Sequence, residues 1–237
     1  MTTAIIVAAG RGTRMGPNVD KLFLALAGHP VVAHTWANCD RTPEVDAIVV
    51  VVRDGMADAF AELAREQGFH KPYQIVIGGP ERQDSVWNGL AAVPDGTDIV
   101  AIQDGARPCT SPALIADTIT AARETGAAVA ASAVTDTIKE SADGRFAERT
   151  LDRARLWAVQ TPQTFRLEVI RRALAEVRRR GLLVTDDTAA CELIGQPVRL
   201  VTRPEPNPKV TRPEDLPYLE WLLRKVPPGE TQTCPEA

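Results

Sequence analysis

The stretch Ala4-Ile-Ile-Val-Ala-Ala-Gly-Arg-Gly-Thr-Arg-Met-Gly16 joins a short apolar run to a glycine-rich loop. The apolar run is typical of a buried strand, and the loop follows it at once. Gly10 and Gly12 have no Cβ, so their backbone N–H groups can approach a phosphate closely. The Arg14 guanidinium can bind two phosphate oxygens, and Lys21 adds a second cation nearby. The stretch therefore predicts a phosphate-binding loop after the first strand.

Two other glycine-rich motifs do not match this loop. A dinucleotide-binding fingerprint requires a third glycine where Met15 stands, which argues against a dehydrogenase. A Walker A loop requires Gly-Lys-Ser/Thr, which does not occur here. A plain tight turn between a strand and a helix is the simpler alternative. Arg14 and Lys21, which follow the glycines, favour the phosphate-binding interpretation.

Short apolar runs alternate with longer amphipathic segments along most of the chain. Buried strands are predicted at residues 4–9, 47–52, 74–77, 99–102, 127–133 and 198–202. Helices are predicted at residues 31–40, 57–67, 84–92, 112–124, 166–180, 186–194 and 213–225. Apolar strands that alternate with helices indicate an α/β, Rossmann-like fold, in which helices cover both faces of a mostly parallel sheet.

Residues 136–159 interrupt this pattern, because they are rich in charge and contain the turn signal Asp143-Gly144. We expect a β-hairpin of residues 135–140 and 146–151, which projects from the core as an arm at about 135–160. An arm with so few apolar residues is hard to stabilise alone. The sequence therefore predicts a homodimer in which each arm packs against the other subunit.

Composition limits the remaining possibilities. The chain has 237 residues, 44% of them apolar, and a formal net charge of −4. We expect a single domain at residues 1–226 and a disordered tail at 227–237. No dense Lys/Arg stripe occurs, which argues against a nucleic-acid partner. No signal peptide or membrane-spanning run is visible, so we expect a cytoplasmic protein without a membrane contact.

Several later segments share an order and spacing with one enzyme family. The first loop, continued to Lys21-Leu-Phe-Leu24, resembles the nucleotidyltransferase signature of enzymes that activate sugars and polyol phosphates. The further segments are Gly78-Gly-Pro-Glu-Arg-Gln-Asp-Ser-Val86, Asp104-Gly-Ala-Arg-Pro108, Asp136-Thr-Ile-Lys139, Thr161-Pro-Gln-Thr-Phe165, Leu183-Val-Thr-Asp-Asp187 and Asn207-Pro-Lys-Val-Thr-Arg-Pro-Glu-Asp-Leu216. Together they resemble the 2-C-methyl-D-erythritol 4-phosphate cytidylyltransferases of the non-mevalonate route to isoprenoids. This resemblance spans nearly the whole chain and implies a nucleotidyltransferase fold.

The resemblance implies a role for each matching residue. Arg14 and Lys21 would be catalytic. CTP would be bound by Ala8, Ala9, Gly10, Gly12, Gly79, Ser85 and Ala106. The acceptor would be bound by Asp104, Arg107, Thr137, Arg153, Thr161, Thr185 and Lys209, with Thr137 and Arg153 reaching into the partner's site. Asp104 would hold either Mg²⁺ or a hydroxyl of the acceptor.

Most of these residues also have a plainer structural interpretation. Ser85 and Thr185 could be helix N-caps, and Thr161 could belong to a turn. Asp104 could form a turn before glycine, whereas Arg153 and Lys209 could be solvent-exposed charges. The chain also departs from the family's usual residues at Leu22, Phe23, Gln103, Gly105 and Pro208. These departures remove no charged group of the expected mechanism.

The expected reaction is attack of an acceptor phosphate oxygen on the α-phosphorus of CTP, with loss of pyrophosphate. A phosphate monoester has a second pKa of about 6, so it is already an anionic nucleophile. Mg²⁺, Arg14 and Lys21 would stabilise the charge of the transition state. A ribitol- or other polyol-phosphate cytidylyltransferase is an alternative, although Ala106 and Arg212 favour the methylerythritol enzyme. A non-catalytic nucleotide-binding protein on the same fold is a second alternative.

Overall fold

The computed structural model describes residues 1–10 and 20–225. Gly12, Arg14 and the expected tail at 227–237 lie outside the described residues. The strands are β1 Thr2–Ala8, β2 Ala25–Leu26, β3 His29–Pro30, β4 Ala47–Val52, β5 Tyr73–Ile77, β6 Ile99–Asp104, β7 Ala127–Ala133, β8 Lys139–Glu140, β9 Arg149–Thr150, β10 Trp157–Arg166 and β11 Arg199–Val201. The helices are α1 Val31–Arg41, α2 Ala57–Gln67, α3 Arg82–Ala91, α4 Pro112–Thr125, α5 Leu167–Arg180, α6 Asp187–Glu192 and α7 Leu216–Lys225.

The central sheet has the strand order β11-β7-β10-β6-β1-β4-β5 in the described chain. β1 runs parallel to both β4 and β6, β4 runs parallel to β5, and β11 runs parallel to β7. Among the described strands of this sheet, only β10 runs antiparallel to its neighbours, β6 and β7. The predicted mostly parallel sheet is therefore confirmed.

Apolar side chains fill the space on both faces of the sheet. In β1, Ala4 and Ile6 belong to a core layer that includes residues of α1, α2, α4 and α7. Ile5 points to the opposite layer, which includes residues of α3, α5 and α6. Successive side chains of a strand point to opposite faces, so a strand covered on both faces is apolar throughout. This confirms the expectation of helices on both faces.

The strand β10 was not predicted. Its sequence, Trp157-Ala-Val-Gln-Thr-Pro-Gln-Thr-Phe-Arg166, contains a proline and several polar residues, which are unusual in a central strand. The pairing with β7 shifts register between Val159 and Gln163, so the ladder is interrupted where Pro162 cannot donate a hydrogen bond. Thr161 consequently lies within a strand, so the alternative interpretation of this residue as part of a turn was wrong.

Two predicted helix starts are corrected by the capping residues. α3 begins at Arg82 because the Glu81 and Asp84 side chains form a reciprocal capping box around its first turn. Ser85 is therefore not an N-cap. The N-cap of α6 is Asp186, whose Oδ1 accepts a hydrogen bond of 2.9 Å from the Ala189 N–H. Thr185 lies one residue earlier, so its assignment as the N-cap was also wrong.

The arm is present but has a shorter ladder than predicted. β8 and β9 pair over two residues each, and the turn between them contains Gly144 with φ of 69°. Asp143 Oδ1 accepts hydrogen bonds from the Arg145 and Phe146 N–H groups, which closes the turn. The arm ends before Trp157, because β10 begins there. None of the described helices is both long and apolar enough to cross a lipid bilayer.

Candidate active site

A cleft of about 170 Å³ lies at the carboxyl ends of β1 and β6. This edge is where open α/β sheets place their ligand-binding residues. The cleft brings together these predicted site residues: Ala8, Ala9, Gly10, Lys21, Gly79, Ser85, Asp104, Ala106 and Lys209. Arg82 also lines the cleft, although the sequence analysis gave it no role.

A larger cavity, of about 290 Å³, lies beside the 203–208 loop and the end of β7. Its charged lining residues are Arg203 and Glu205, and Arg203 is already paired with Asp117 at 2.7 Å. None of the predicted site residues within 1–10 and 20–225 lines this cavity. The charges and glycines of the smaller cleft, rather than volume, therefore identify the candidate site.

Gly79 lines one wall of the cleft and lies, with Gly78, just after β5. A Cβ on Gly78 would lie 2.5 Å from Ala9 Cβ, and one on Gly79 would lie 2.4 Å from Asp84 Cβ. Both distances are too short for side-chain atoms, so this loop needs glycine to pack against β1 and α3. The Gly79 N–H donates to Ser85 Oγ at 3.1 Å, which ties the loop to α3.

Asp104 is the last residue of β6, and its carboxylate is surrounded by cations. Lys209 Nζ lies 2.6 Å from Oδ2, Arg82 Nε 3.6 Å from Oδ1 and Arg107 Nε 3.7 Å from Oδ2. Burial would raise the pKa of Asp104, but the positive charges, chiefly Lys209 and Arg82, hold it below its ordinary value. The Asp104 backbone N–H donates to Thr161 Oγ1 at 3.1 Å. Asp104 is therefore ionised near neutral pH and held in place by β10.

Arg82 joins Asp104 to a second carboxylate. Its Nη2 lies 2.8 Å from Oδ2 of Asp187, a residue of α6 that is fully buried. Burial raises the pKa of the Asp187 carboxyl, while the Arg82 guanidinium acts in the opposite direction. Arg82 lies in the segment 78–86 that the sequence analysis quoted. A cation at the start of a helix beside the ligand-binding edge of the sheet was the sequence signal that could have identified it. Its pairing with Asp187 was not visible in the sequence.

The loop that contains Lys209 and Val210 also contacts Lys21, so it positions both lysines at the cleft. Lys21 Nζ donates to the Val210 carbonyl at 3.0 Å, and the Val210 N–H donates to the Ala106 carbonyl at 2.8 Å. Lys209 is the residue just before Val210 and contacts Asp104. Two lysines that lie far apart in the sequence thus border the same cleft.

Asn207 is a buried residue that the sequence analysis did not single out. Its side chain donates to the Thr161 carbonyl at 2.8 Å and accepts from Thr110 Oγ1 at 2.8 Å. Its carbonyl accepts from Arg107 Nη1 at 2.6 Å, so Arg107 lies behind the cleft rather than in its lining. Gln103 donates to Thr110 Oγ1 at 2.9 Å, so this departure from the family residue fits the same network.

Of the predicted site residues that the structure describes, Arg107, Thr137, Arg153, Thr161 and Thr185 do not line the cleft. Thr161 is buried beneath Asp104, and Thr185 is exposed just before α6. Thr137 and Arg153 are exposed on the arm, where Arg153 Nη1 donates to the Thr135 carbonyl at 2.6 Å. The cleft of the described chain therefore contains every predicted CTP-binding residue except Gly12, which is not described, and Asp104 and Lys209 of the predicted acceptor-binding residues.

Comparisons with known proteins show which family this chain resembles. The IspD family model, 2-C-methyl-D-erythritol 4-phosphate cytidylyltransferase, matches residues 2–225. The enzyme of that name from Pelotomaculum thermopropionicum is 43% identical over 222 residues, which cover 93% of each chain. The bifunctional enzyme IspD/IspF of Desulforudis audaxviator is 44% identical over 223 residues, which cover 94% of this chain and 56% of that protein.

A solved structure shows the same fold. The crystal structure of 4-diphosphocytidyl-2C-methyl-D-erythritol synthase from Anaerococcus prevotii has a TM-score of 0.83 with this chain. The two sequences are 29% identical, and the match covers 94% of this chain and 96% of the other. The family match over nearly the whole chain and the arrangement of the cleft lead to one conclusion. This chain belongs to the 2-C-methyl-D-erythritol 4-phosphate cytidylyltransferase family.

Proposed function

We propose that the protein transfers CMP from CTP to 2-C-methyl-D-erythritol 4-phosphate, which gives 4-diphosphocytidyl-2-C-methyl-D-erythritol and pyrophosphate. The observation that carries this proposal is the convergence of Lys21, Lys209 and an ionised Asp104 on a glycine-walled cleft. Such a cleft can hold a triphosphate beside a second, hydroxyl-rich anion. Membership of the family supports the choice of both substrates.

On the nucleotide side, small residues would let the ligand approach the backbone. Ala8, Ala9 and Gly10 lie at the end of β1, and Gly79 and Ser85 form the facing wall, with Ala106 nearby. Gly12 and Arg14 would complete this side from the first loop. Lys21 and Arg14 would stabilise the negative charge that develops on the α-phosphoryl group as pyrophosphate leaves.

On the acceptor side, the Asp104 carboxylate would accept hydrogen bonds from acceptor hydroxyls. It is suited to this because its neighbouring cations keep it ionised. Lys209 would contact the acceptor beside it, and Arg107, Thr161 and Thr185 would support the same region. The acceptor phosphate would attack directly, since a phosphate monoester needs no general base near neutral pH.

The Asp104 carboxylate does not suit a protein-held Mg²⁺ in this arrangement. Lys209 already contacts Oδ2 at 2.6 Å, and Arg82 faces Oδ1. In residues 1–10 and 20–225, no group of three His, Cys, Asp or Glu side chains is placed to hold a metal ion. We therefore treat magnesium as part of the substrate, bound to the triphosphate as Mg·CTP.

The arm would complete the acceptor site of a second subunit. Thr137 and Arg153 are exposed on the arm, and Arg153 would offer its guanidinium to the partner's acceptor phosphate. Phe146 at the arm tip is 75% exposed, and Trp157 and Val159 are exposed near its base. Burying these side chains against a second copy would favour a homodimer. We infer a cytoplasmic location because the described cysteines are unpaired thiols.

An acceptor panel tests the proposed reaction. Purified protein, CTP and Mg²⁺ are incubated with 2-C-methyl-D-erythritol 4-phosphate or ribitol 5-phosphate, and pyrophosphate release is measured. We expect turnover with the methylerythritol acceptor and much slower turnover with ribitol 5-phosphate. A preference for ribitol 5-phosphate would favour the other polyol-phosphate enzyme. CTP binding without pyrophosphate release from either mixture would favour the non-catalytic alternative.

A further inference from the structure

We propose that Arg82, anchored by the buried Asp187, is a positioning residue that orients the Asp104 carboxylate toward the acceptor. This inference rests on the proposed function. It assigns roles to two residues, Arg82 and Asp187, that the sequence analysis left without one. Arg82 would act through Asp104 rather than on the reacting atoms.

Arg82 is held between two carboxylates. Its Nη2 lies 2.8 Å from Asp187 Oδ2, and its Nε lies 3.6 Å from Asp104 Oδ1. Asp187 has no exposed surface, and its N–H donates to Gln163 Oε1 at 2.9 Å. A buried carboxylate is costly unless a cation compensates its charge, so Asp187 restrains the guanidinium strongly. The position of Arg82 is therefore set by the protein interior.

The cations around Asp104 are divided between its two carboxylate oxygens. Lys209 and Arg107 both face Oδ2, whereas Arg82 faces Oδ1. Two cations would remain beside the carboxylate without Arg82, so Arg82 is not required to keep it ionised. The terminal torsion of an aspartate is broad, however, and cations on one oxygen alone do not define it. Arg82 supplies the contact on the other oxygen and thereby defines the plane of the carboxylate.

Gln83, the residue after Arg82, connects the start of α3 to the segment before Asp187. Gln83 Nε2 donates to the Leu182 carbonyl at 3.0 Å, and its Oε1 accepts from the Val184 N–H at 3.0 Å. The start of α3 therefore binds both ends of the 182–187 segment. Gln83 keeps this segment in place when the pair between Arg82 and Asp187 is changed, so the pair can be tested separately.

The test uses two substitutions that keep a cation in the cleft. Asp187→Asn removes the anchor but leaves Arg82, and Arg82→Lys keeps the charge but cannot reach both carboxylates with a planar fork. We expect each variant to raise the KM for 2-C-methyl-D-erythritol 4-phosphate on the order of tenfold, as expected for a lost charge-assisted contact. The KM for CTP should change by less than about twofold, because the cleft keeps its charge.

The double variant, with Arg82→Lys and Asp187→Asn together, shows whether the two residues act as a pair or independently of each other. If Asp187 acts through Arg82, the double variant should raise the acceptor KM no more than either single variant. Arg199→Lys is a matched control, because Arg199 pairs with Glu124 at the surface and is far from the cleft in the sheet order. Thermal melts of every variant establish that the folded state is retained. If one single variant does not fold, the comparison of the two KM values in the other single variant still tests the proposal.

Each outcome decides one of the two proposals. Equal changes in the two KM values, an unchanged acceptor KM, or additive effects in the double variant would overturn the positioning role of Arg82. A phosphate-binding role for Arg82 would appear as a raised KM for CTP in Arg82→Lys and an unaffected Asp187→Asn. Wild-type protein that does not turn over the acceptor would instead refute the proposed function itself.

Discussion

The contact between Lys209 and Asp104 is the shortest ion pair described in the cleft, with 2.6 Å between Nζ and Oδ2. Lys209→Gln removes the positive charge and keeps a side chain of similar length. We expect this change to lower kcat/KM for the acceptor more than kcat/KM for CTP. The reason is that Asp104 loses its closest cation while the glycine-walled nucleotide side is untouched.

The size of the effect follows from the burial of the two partners. A hydrogen bond to a charged group contributes roughly 1.5–3 kcal/mol, and each 1.4 kcal/mol corresponds to about a tenfold change. The Asp104 side chain is only 11% exposed, but the Lys209 side chain is 34% exposed, so solvent partly screens the attraction between them. The lower end of this energy range therefore applies, and we expect about a tenfold loss of acceptor kcat/KM.

The same variant should change the pH dependence. In the wild-type protein burial would raise the pKa of Asp104, and Lys209 is the strongest influence that lowers it. Without Lys209 the pKa of Asp104 rises. The proposed role requires an ionised carboxylate, so the acid limb of the acceptor kcat/KM profile should move to higher pH. The acceptor's own phosphate also titrates, but equally in both proteins. Its contribution therefore cancels when the acceptor kcat/KM of the variant is divided by that of the wild type at each pH.

Steady-state kinetics at several pH values measure both effects through pyrophosphate release. Lys225→Gln is the matched control, because the Lys225 ammonium lies over the exposed Trp221 ring at the end of α7. The control should match wild type in both kcat/KM values and in the pH profile. An unchanged acid limb in Lys209→Gln, or equal losses for CTP and acceptor, would refute the assignment of Lys209 to Asp104.

Three further predictions concern other parts of the chain. Lys21→Ala should lower kcat on the order of 10²–10³-fold in single-turnover assays while circular dichroism shows a folded protein, and retained turnover would exclude its catalytic role. Arg153→Ala should raise the KM for the acceptor more than that for CTP in steady-state assays, whereas equal changes would contradict an arm that reaches the partner's acceptor. Gly78→Ala should lower the free energy of unfolding by about 1–3 kcal/mol in denaturant titrations, because the added Cβ would lie 2.5 Å from Ala9 Cβ. Unchanged stability would contradict the close packing of this loop against Ala9.

Much of the fold was predictable because its signals are local. Strands such as β4 are apolar at every position, and α5 is followed by the C-cap Gly181 with φ of 63°, a conformation that glycine adopts readily. The strand β10 was missed because Pro162 and its polar neighbours contradict the usual pattern of a central strand. Its pairing depends on β6 and β7, which are distant in the sequence.

The candidate site was predictable only to the extent that its residues lie in recognisable segments. Lys21, Asp104 and Lys209 were assigned from such segments, and the structure places all three in one cleft. The pairing of Arg82 with Asp187 joins two helices, α3 and α6, whose contact no local pattern reveals. Long-range partners of this kind depend on how the sheet and helices pack together.

The direction of β10 determines where the arm is attached. Because β10 runs against β6, its first residues lie at the same edge as Asp104, and β7 ends at that edge too. The chain leaves at Val134 and returns at Leu156, where the Val134 N–H donates to the Leu156 carbonyl at 3.1 Å. The arm therefore projects from a closed base at the same edge of the sheet as Asp104. Insertions or deletions between these two residues can change its reach while leaving every strand of the central sheet in register.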